Sequence, residues 1–474
     1  MKTKLVPVIG VLLITTPRFH DLGEGTEHGV YYKRKEKEAA YLVASLSKFS
    51  QPIFTKVVYT REDVKAAIAQ FERDQVDMVF ACFLSWSDDF AWIRFLRDMK
   101  SVPILFASVV RDSLNFTDSL SEDRFVEFLS AGSLVGMLEA SGSASRFCRP
   151  MMHRIVGTHE QILQACHTFS QAAAMRSRLR QVNFGLLPSL NEVMWSTYVD
   201  PYSLFMQIGP ELRYISVVSY QQEIASIEES LVRKTTDELI RTFKIDTNVD
   251  IDKMRASVAA SLALESLSRK YGVEVLVLND VDPVLLRSIG LRPGFTPCPG
   301  TDDIVVVPEG DIGAALAVYI LKCFTQAPVQ LIEPFHIDYE RDVFEGGHAG
   351  PNDYTDALGS TIISRDERFA RTDYKYAGAP FAWHVISSGE KTMLHISECN
   401  GKFKLVCAVI DALHTTHHLA GYTHGLFKPR KPCVAFFQEL MQIGVTQHYA
   451  IVNGDCCDRL EILADIMGFE FHRL

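Results

Sequence analysis

Short apolar runs alternate with helix-period segments through the first third of the chain: Val6 to Ile14, then about Glu36 to Phe49, Ile53 to Tyr59, Arg61 to Asp74, and Met78 to Phe83. Runs that are apolar at nearly every position, rather than at every second one, predict strands covered on both faces, which is the pattern of a parallel sheet wrapped by helices. The alternation continues through Val102 to Ala107. It passes a loop region from Gly132 to Ser145 and resumes with the run Met152 to Gly157 and a helix from His159. A first doubly wound domain is expected to end near residue 170. A second α/β layer follows, with a helix from about Gln171 to Arg180, a strand Gln181 to Leu187, a long helix Asp250 to Tyr271 and a strand Val273 to Leu278. It closes with a strand Thr301 to Val307 and a buried helix Gly310 to Phe324.

Beyond Pro328 the period changes. Trp383 to Ser387, Lys391 to Glu398, Lys404 to Asp411 and His448 to Val452 read as short strands separated by polar turns, which predicts an antiparallel, partly barrel-like β domain. The expected fold class is therefore α/β: two doubly wound parallel-sheet domains (1–170 and 171–326) and a C-terminal antiparallel, partly barrel-like β-rich domain (327–474).

Composition narrows the function. The 474 residues are 47% hydrophobic and 22% charged, with a net charge of -10, so there is no basic excess to neutralise nucleic-acid phosphates or an anionic membrane. The ten cysteines are scattered without a CxxC pair, which fits reduced thiols and a cytoplasmic location rather than a disulfide framework. Lys2 and Lys4 before Leu5 to Ile14 imitate a secretory leader. Pro7 and Gly10 interrupt that run and no small-residue cleavage site follows, so a first strand explains it better.

Candidate chemistry lies where strands end, because ligands in open α/β sheets gather beyond the carboxyl ends of the strands. Glu309 follows Ile304 to Pro308, and Glu333 follows Val329 to Ile332. His348 sits in Glu-Gly-Gly-His-Ala-Gly-Pro, where glycines permit close backbone approach, and His448 opens a strand. Two carboxylates and two imidazoles suit one divalent ion of the manganese type, with positions left for substrate oxygens. Each residue also has an ordinary reading: Glu309 as a carboxylate near a helix N-terminus, His348 as a turn residue, His448 as a strand histidine. His414, His417, His418 and His424 form a histidine-rich stretch without ordered ligand spacing, read as a loop of the third domain.

These motifs resemble the L-arabinose isomerase and L-fucose isomerase superfamily, in particular its arabinose-isomerase-like branch, over most of the chain. Pro-Glu309-Gly-Asp is similar to that family's Glu-Gly-Asp stretch, Glu333 and Gly-Gly-His348 to its second carboxylate and Gly-x-His, and Thr-Gln-His448-Tyr-Ala-Ile-Val to its last histidine and closing strand. The resemblance implies that Glu309, Glu333, His348 and His448 are all metal ligands. It further implies three domains and a homotrimer or homohexamer with active sites between subunits. Fucose-isomerase relatives use an arginine after the first strand and a tryptophan after a later one to reach a neighbouring subunit's substrate; Arg18 and Trp86 hold the equivalent places. Gln447 stands where arabinose isomerases commonly carry a second histidine, and Ala349-Gly-Pro-Asn-Asp departs from their pattern, so L-arabinose is not the expected substrate.

The expected activity is metal-dependent aldose–ketose isomerisation of a free or modified monosaccharide through an enediolate, with Glu309 and Glu333 sharing the acid and base work. A non-catalytic sugar-binding or regulatory protein, or a sugar epimerase, is the alternative on the same scaffold.

Overall fold

The computed structural model of the protein describes residues 4–21, 30–110, 130–299, 304–357 and 359–474. They divide into two compact units, Leu5–Ser177 and Arg178–Leu474, the latter joined by Lys4. The fold class is the expected one: two parallel sheets with helices and a C-terminal antiparallel closed barrel.

In the N-terminal unit, strands β1 (Val8–Ile14), β2 (Gln51–Ile53), β3 (Met78–Phe83), β4 (Ile104–Val109) and β5 (Met152–Gly157) form a parallel sheet in the order β2-β1-β3-β4-β5. Every residue of β3 is buried, as a strand covered on both faces requires. The run Ile53 to Tyr59 is not one strand. Only Gln51–Ile53 pairs along β1, and Val58 returns as an isolated bridge to Ile14.

Two helices differ from expectation. The region read as a loop contains the helix Leu134–Arg146. Its glycines and serines depress helix propensity, but packing requires a small residue: a Cβ on Gly136 would lie 2.8 Å from Phe83 and 3.2 Å from the Trp86 backbone. The helix expected at Gln171 to Arg180 is the second half of one 21-residue helix, His159–Leu179, which contains neither glycine nor proline to break it.

The second unit opens with β6 (Asn183–Leu187), β7 (Glu211–Tyr214), β8 (Lys244–Ile245), β9 (Val275–Leu278) and β10 (Val305–Val307). β10-β9-β6-β7 make the second parallel sheet. Thr301 to Asp303, expected in the last of these strands, lie outside the described residues. The long helix is Ile251–Tyr271, capped by the Asp250 carboxylate at its start and by Gly272 in the left-handed conformation at its end.

The remaining strands are β11 (Gln330–Asp338), β12 (Val343–His348), β13 (Ile362–Arg365), β14 (Pro380–Trp383), β15 (Gly389–Cys399), β16 (Lys402–Leu413), β17 (Thr423–Pro429), β18 (Tyr449–Asn453) and β19 (Glu470–Arg473). β15-β18-β11-β12-β17-β16 follow one another and β16 pairs back onto β15, closing a six-stranded barrel with β19 added alongside β16. Asn400 and Gly401, both at positive φ, turn β15 into β16, as an Asn-Gly hairpin requires. Trp383 to Ser387 is not a barrel strand: β14 ends at Trp383, pairs with β13, and β13 pairs with β8.

The helix Ile312–Thr325 is the common wall of this unit. It packs between β9 and β10 on one side and β15 and β18 on the other, so every residue from Ile312 to Phe324 is buried and no polar face survives. Among the described residues no helix is long and apolar enough to cross a membrane. Contact with the barrel is close at Gly313, where a Cβ would stand 2.1 Å from the Ile396 carbonyl oxygen.

Gly313→Ala should therefore destabilise the protein although alanine is the better helix former by about 1 kcal/mol. The overlap is with backbone, and overpacking of this kind costs roughly 1–3 kcal/mol or more. A urea midpoint equal to that of the unaltered protein would show that the helix can move away.

Candidate metal centre

Glu309 leaves β10 through Pro308 and adopts φ +62°, followed by Gly310 at φ +70°. A glutamate in the left-handed region costs on the order of 1–3 kcal/mol, so the surrounding structure must hold it there. Its N–H donates to Asp280 Oδ1 at 3.0 Å, and Asn191 Nδ2 donates to its carbonyl at 3.1 Å. Asn191 and Asp280 follow β6 and β9, so three carboxyl ends of the parallel sheet converge on this turn. The turn leads into the helix Ile312–Thr325, whose N-cap is Asp311: Oδ1 accepts from Ala314 N at 2.8 Å.

The barrel supplies the other three candidate ligands. Glu333 lies on β11 opposite Gly347 of β12, and His348 ends β12. Ile332 pairs with Tyr449, so His448 stands one step before the start of β18, level with Glu333. Only glycine fits at position 347, where a Cβ would meet the Thr423 carbonyl oxygen at 2.1 Å. His395, buried on β15, donates Nδ1–H to the His448 carbonyl at 2.9 Å, and its Nε2 faces the Thr446 N–H at 3.5 Å. Burial lowers the His395 pKa and favours this neutral ring.

All four residues expected as ligands meet: Glu309, Glu333, His348 and His448 each offer one atom, and these atoms lie within 4.8 Å of one another. His448 Nε2 is 3.2 Å from Glu309 Oε2 and 3.4 Å from Glu333 Oε1, while His348 Nε2 is 3.6 Å from Glu309 Oε1. Glu309 Oε2, His448 Nε2 and both ring nitrogens of His348 are buried without an aligned hydrogen bond. Buried polar atoms are rarely left so, and a cation among them would satisfy Glu309 Oε2, His448 Nε2 and one ring nitrogen of His348 at once. The group can bind a metal ion.

His448 Nδ1 contacts Asp311 Oδ2 at 2.8 Å. A carboxylate there accepts the Nδ1 proton and aims the Nε2 lone pair inward, the usual support for a metal-binding imidazole. Burial alone would lower the His448 pKa, but the Asp311, Glu309 and Glu333 carboxylates drive it up to about 12. Burial would likewise raise Glu309, yet the two imidazoles hold it well below the carboxylate range. The site is thus built around a positive charge.

Glu333 forms the open side. Its side chain is 24% exposed, against 6% for Glu309. It borders an open cavity of about 570 Å³ whose walls include Phe335, His336, Glu345, Tyr422 and Gln447. Burial and the neighbouring Glu333 push the Tyr422 hydroxyl up to about 12, so it stays a neutral donor.

Arg18 and Trp86 belong to the N-terminal unit and not to this group. They follow β1 and β3, the adjacent strands of the β2-β1-β3-β4-β5 sheet whose onward connections leave in opposite directions, which is where open α/β sheets form their crevice. The Arg18 guanidinium lies 5.8 Å from the Trp86 ring centre and pairs with Asp88 at 3.0 Å; Trp86 Nε1 donates to Glu139 at 2.8 Å.

The histidine-rich stretch is occupied otherwise. His418 pairs with Glu345, His417 contacts the Ser360 carbonyl at 2.7 Å, and His424 lies on β17, buried, with both nitrogens near backbone carbonyls. Sequence reasoning missed Asp311, Asp280 and His395, and also Arg292, whose Nε donates to Asp280 Oδ2 at 2.8 Å. An aspartate before an apolar helical run is an N-cap signal that marks Asp311, and the strand-end rule applied to Glu309 also reaches Asp280. Nothing local marks Arg292 or His395. No protein-family model matches the chain and no curated protein matches it.

Because the metal-free His448 holds a proton on the atom a metal needs, metal binding should release that proton. Apparent affinity should rise about tenfold per pH unit across the neutral range and fall as pH falls. Titration with Mn2+ in buffers of different ionisation enthalpy measures the proton count; an affinity flat from pH 6 to 9 would show that the metal-free His448 ring is already neutral.

Proposed function

We propose that the protein is a metal-dependent aldose–ketose isomerase of the cytoplasm, an arabinose-isomerase-like member of the L-arabinose and L-fucose isomerase superfamily. The observation that carries this reading is the meeting of two carboxylates and two imidazoles within 4.8 Å, with unsatisfied lone pairs, beside a cavity large enough for a monosaccharide. Mixed oxygen and nitrogen donors without thiolate favour manganese or a similar ion.

A divalent ion bound by these residues would supply charge stabilisation for the two neighbouring sugar oxygens that exchange carbonyl and hydroxyl character. The protein must move a proton between the adjacent carbons. Glu333 is the carboxylate open to the cavity, Glu309 lies beneath it, and the two share that transfer. His348 and His448 would hold the ion, and Asp311 keeps the His448 ring oriented. Tyr422 can donate to a substrate oxygen from the cavity wall.

A homotrimer or homohexamer, with the first domain of one subunit serving the site of another, is part of the same proposal. Val193, Trp195, Tyr202, Phe205, Met206 and Tyr214 are each more than half exposed within a short stretch of chain, and such a concentration of large apolar side chains supports an interface.

Incubation of the manganese-loaded protein with a panel of aldoses and ketoses in deuterated water tests the activity. Isomerisation with solvent exchange is expected. Binding without exchange would mean a sugar-binding protein, and exchange with inversion an epimerase; either result would end the isomerase reading, and full isomerase activity after exhaustive chelation would end its metal dependence. Glu309→Gln and Glu333→Gln should each lower turnover by roughly a hundredfold or more at saturating metal, with metal content measured beside the rate. Near-normal turnover in both would require a different base.

Arg18→Ala and Trp86→Ala should weaken substrate use while leaving metal content unchanged. Sedimentation should give three or six chains, and a fully active monomer would count decisively against the shared site.

A further inference from the structure

Two side chains that touch neither the cavity beside Glu333 nor the candidate ligand atoms tie the two halves of the metal centre together. Asp280, beyond β9, is fully buried, and Arg292 is 5% exposed. Arg292 Nε donates to Asp280 Oδ2 at 2.8 Å, and Nη2 contacts the same oxygen. The other Asp280 oxygen accepts from the Glu309 N–H at 3.0 Å, while Arg292 Nη2 also donates to the Ala349 carbonyl at 3.1 Å, one residue after His348. The chain passes so near that Gly350 takes φ +104°, and a Cβ there would lie 2.6 Å from Nη2. Asp366 adds a second buried carboxylate 3.9 Å from Nη1.

Glu309 comes from the parallel sheet and His348 from the barrel, so no backbone hydrogen-bond ladder sets their separation. The geometry points to Asp280 and Arg292 as positioning residues of the metal centre: through one hydrogen bond each, the pair fixes the left-handed Glu309 backbone and the end of β12, and so the spacing of two ligands from different layers. This rests on the metal reading of the site. A planar guanidinium serves because it bonds two acceptors in fixed directions, which a lysine ammonium does not.

The test uses the full chain and the metal alone, with Mn2+ affinity followed by electron paramagnetic resonance and the ligand field by the visible spectrum of Co2+. Asp280→Asn, Arg292→Lys and Arg292→Met are compared with Leu239→Ala, a core truncation in the same unit that loses stability without touching the site. The expected result is Mn2+ binding roughly 10- to 100-fold weaker in the site variants, an altered Co2+ spectrum, a smaller effect for lysine than for methionine, and no change in either reading for Leu239→Ala. Unaltered affinity and spectrum in Arg292→Lys and Arg292→Met would overturn the inference while leaving the metal site standing. An equal loss in Leu239→Ala would overturn it too, by showing that stability alone sets affinity. Failure of the unaltered protein to bind Mn2+ would instead overturn the metal reading and this inference with it. Should Asp280→Asn fail to fold, the two Arg292 variants decide.

Discussion

The second unit is organised around a concentration of buried negative charge. Glu309 and Glu333 place oxygens within a 4.8 Å group, and Asp311 faces the same imidazole from its other side. Two unit charges at that range repel by roughly 3 kcal/mol at an effective dielectric constant of 20, so the arrangement persists only with a positive charge at its centre. In the metal-free chain the proton on His448 supplies it. A divalent ion suits the place better than a proton because it satisfies several lone pairs at once, where a proton serves two.

Holding such a group together requires rigid delivery from several directions. The parallel sheet delivers Glu309 from the carboxyl end of β10, and the barrel delivers Glu333, His348 and His448 from β11, β12 and the approach to β18. Between these layers lies the helix Ile312–Thr325, which is buried at almost every position and begins at Asp311. One segment thus carries a candidate ligand just before its start, the carboxylate that contacts another candidate ligand at its cap, and the packing wall between sheet and barrel along its length. Gly313 and Gly347 mark the places where backbones approach too closely for any side chain.

The N-terminal unit contributes a different kind of feature. Arg18 and Trp86 meet where the β2-β1-β3-β4-β5 order reverses direction, a crevice that sheet topology creates without any help from the loops around it. The proposed role of these residues toward a neighbouring subunit's sugar gives that crevice a use. The histidine-rich stretch shows the reverse lesson: density of potential ligands along the chain does not make a metal site when hydrogen bonds to backbone and Glu345 already engage the rings of His417, His418 and His424.

Much of this was legible in the chain. Fully apolar runs such as Met78 to Phe83, the Asp-capped and Gly-terminated helix Ile251–Tyr271, and the Asn-Gly turn between β15 and β16 are local statements, because burial on two faces, end capping and turn chemistry depend on neighbouring residues. The four candidate ligands could be picked out by strand ends and by resemblance. What the chain alone did not reveal depends on partners far away in sequence. The helix Leu134–Arg146 hides behind its glycines, and the reason for Gly136 is the ring of Phe83. The join between Gln171 and the preceding helix was obscured by an expected boundary. Arg292 has no local signature, since its meaning lies in Asp280, Ala349 and Asp366. Local periodicity and capping therefore determined the elements. Only tertiary packing decided that Glu309, Glu333, His348 and His448 would share one buried space, because their separations are set by contacts between layers and not by any spacing along the chain.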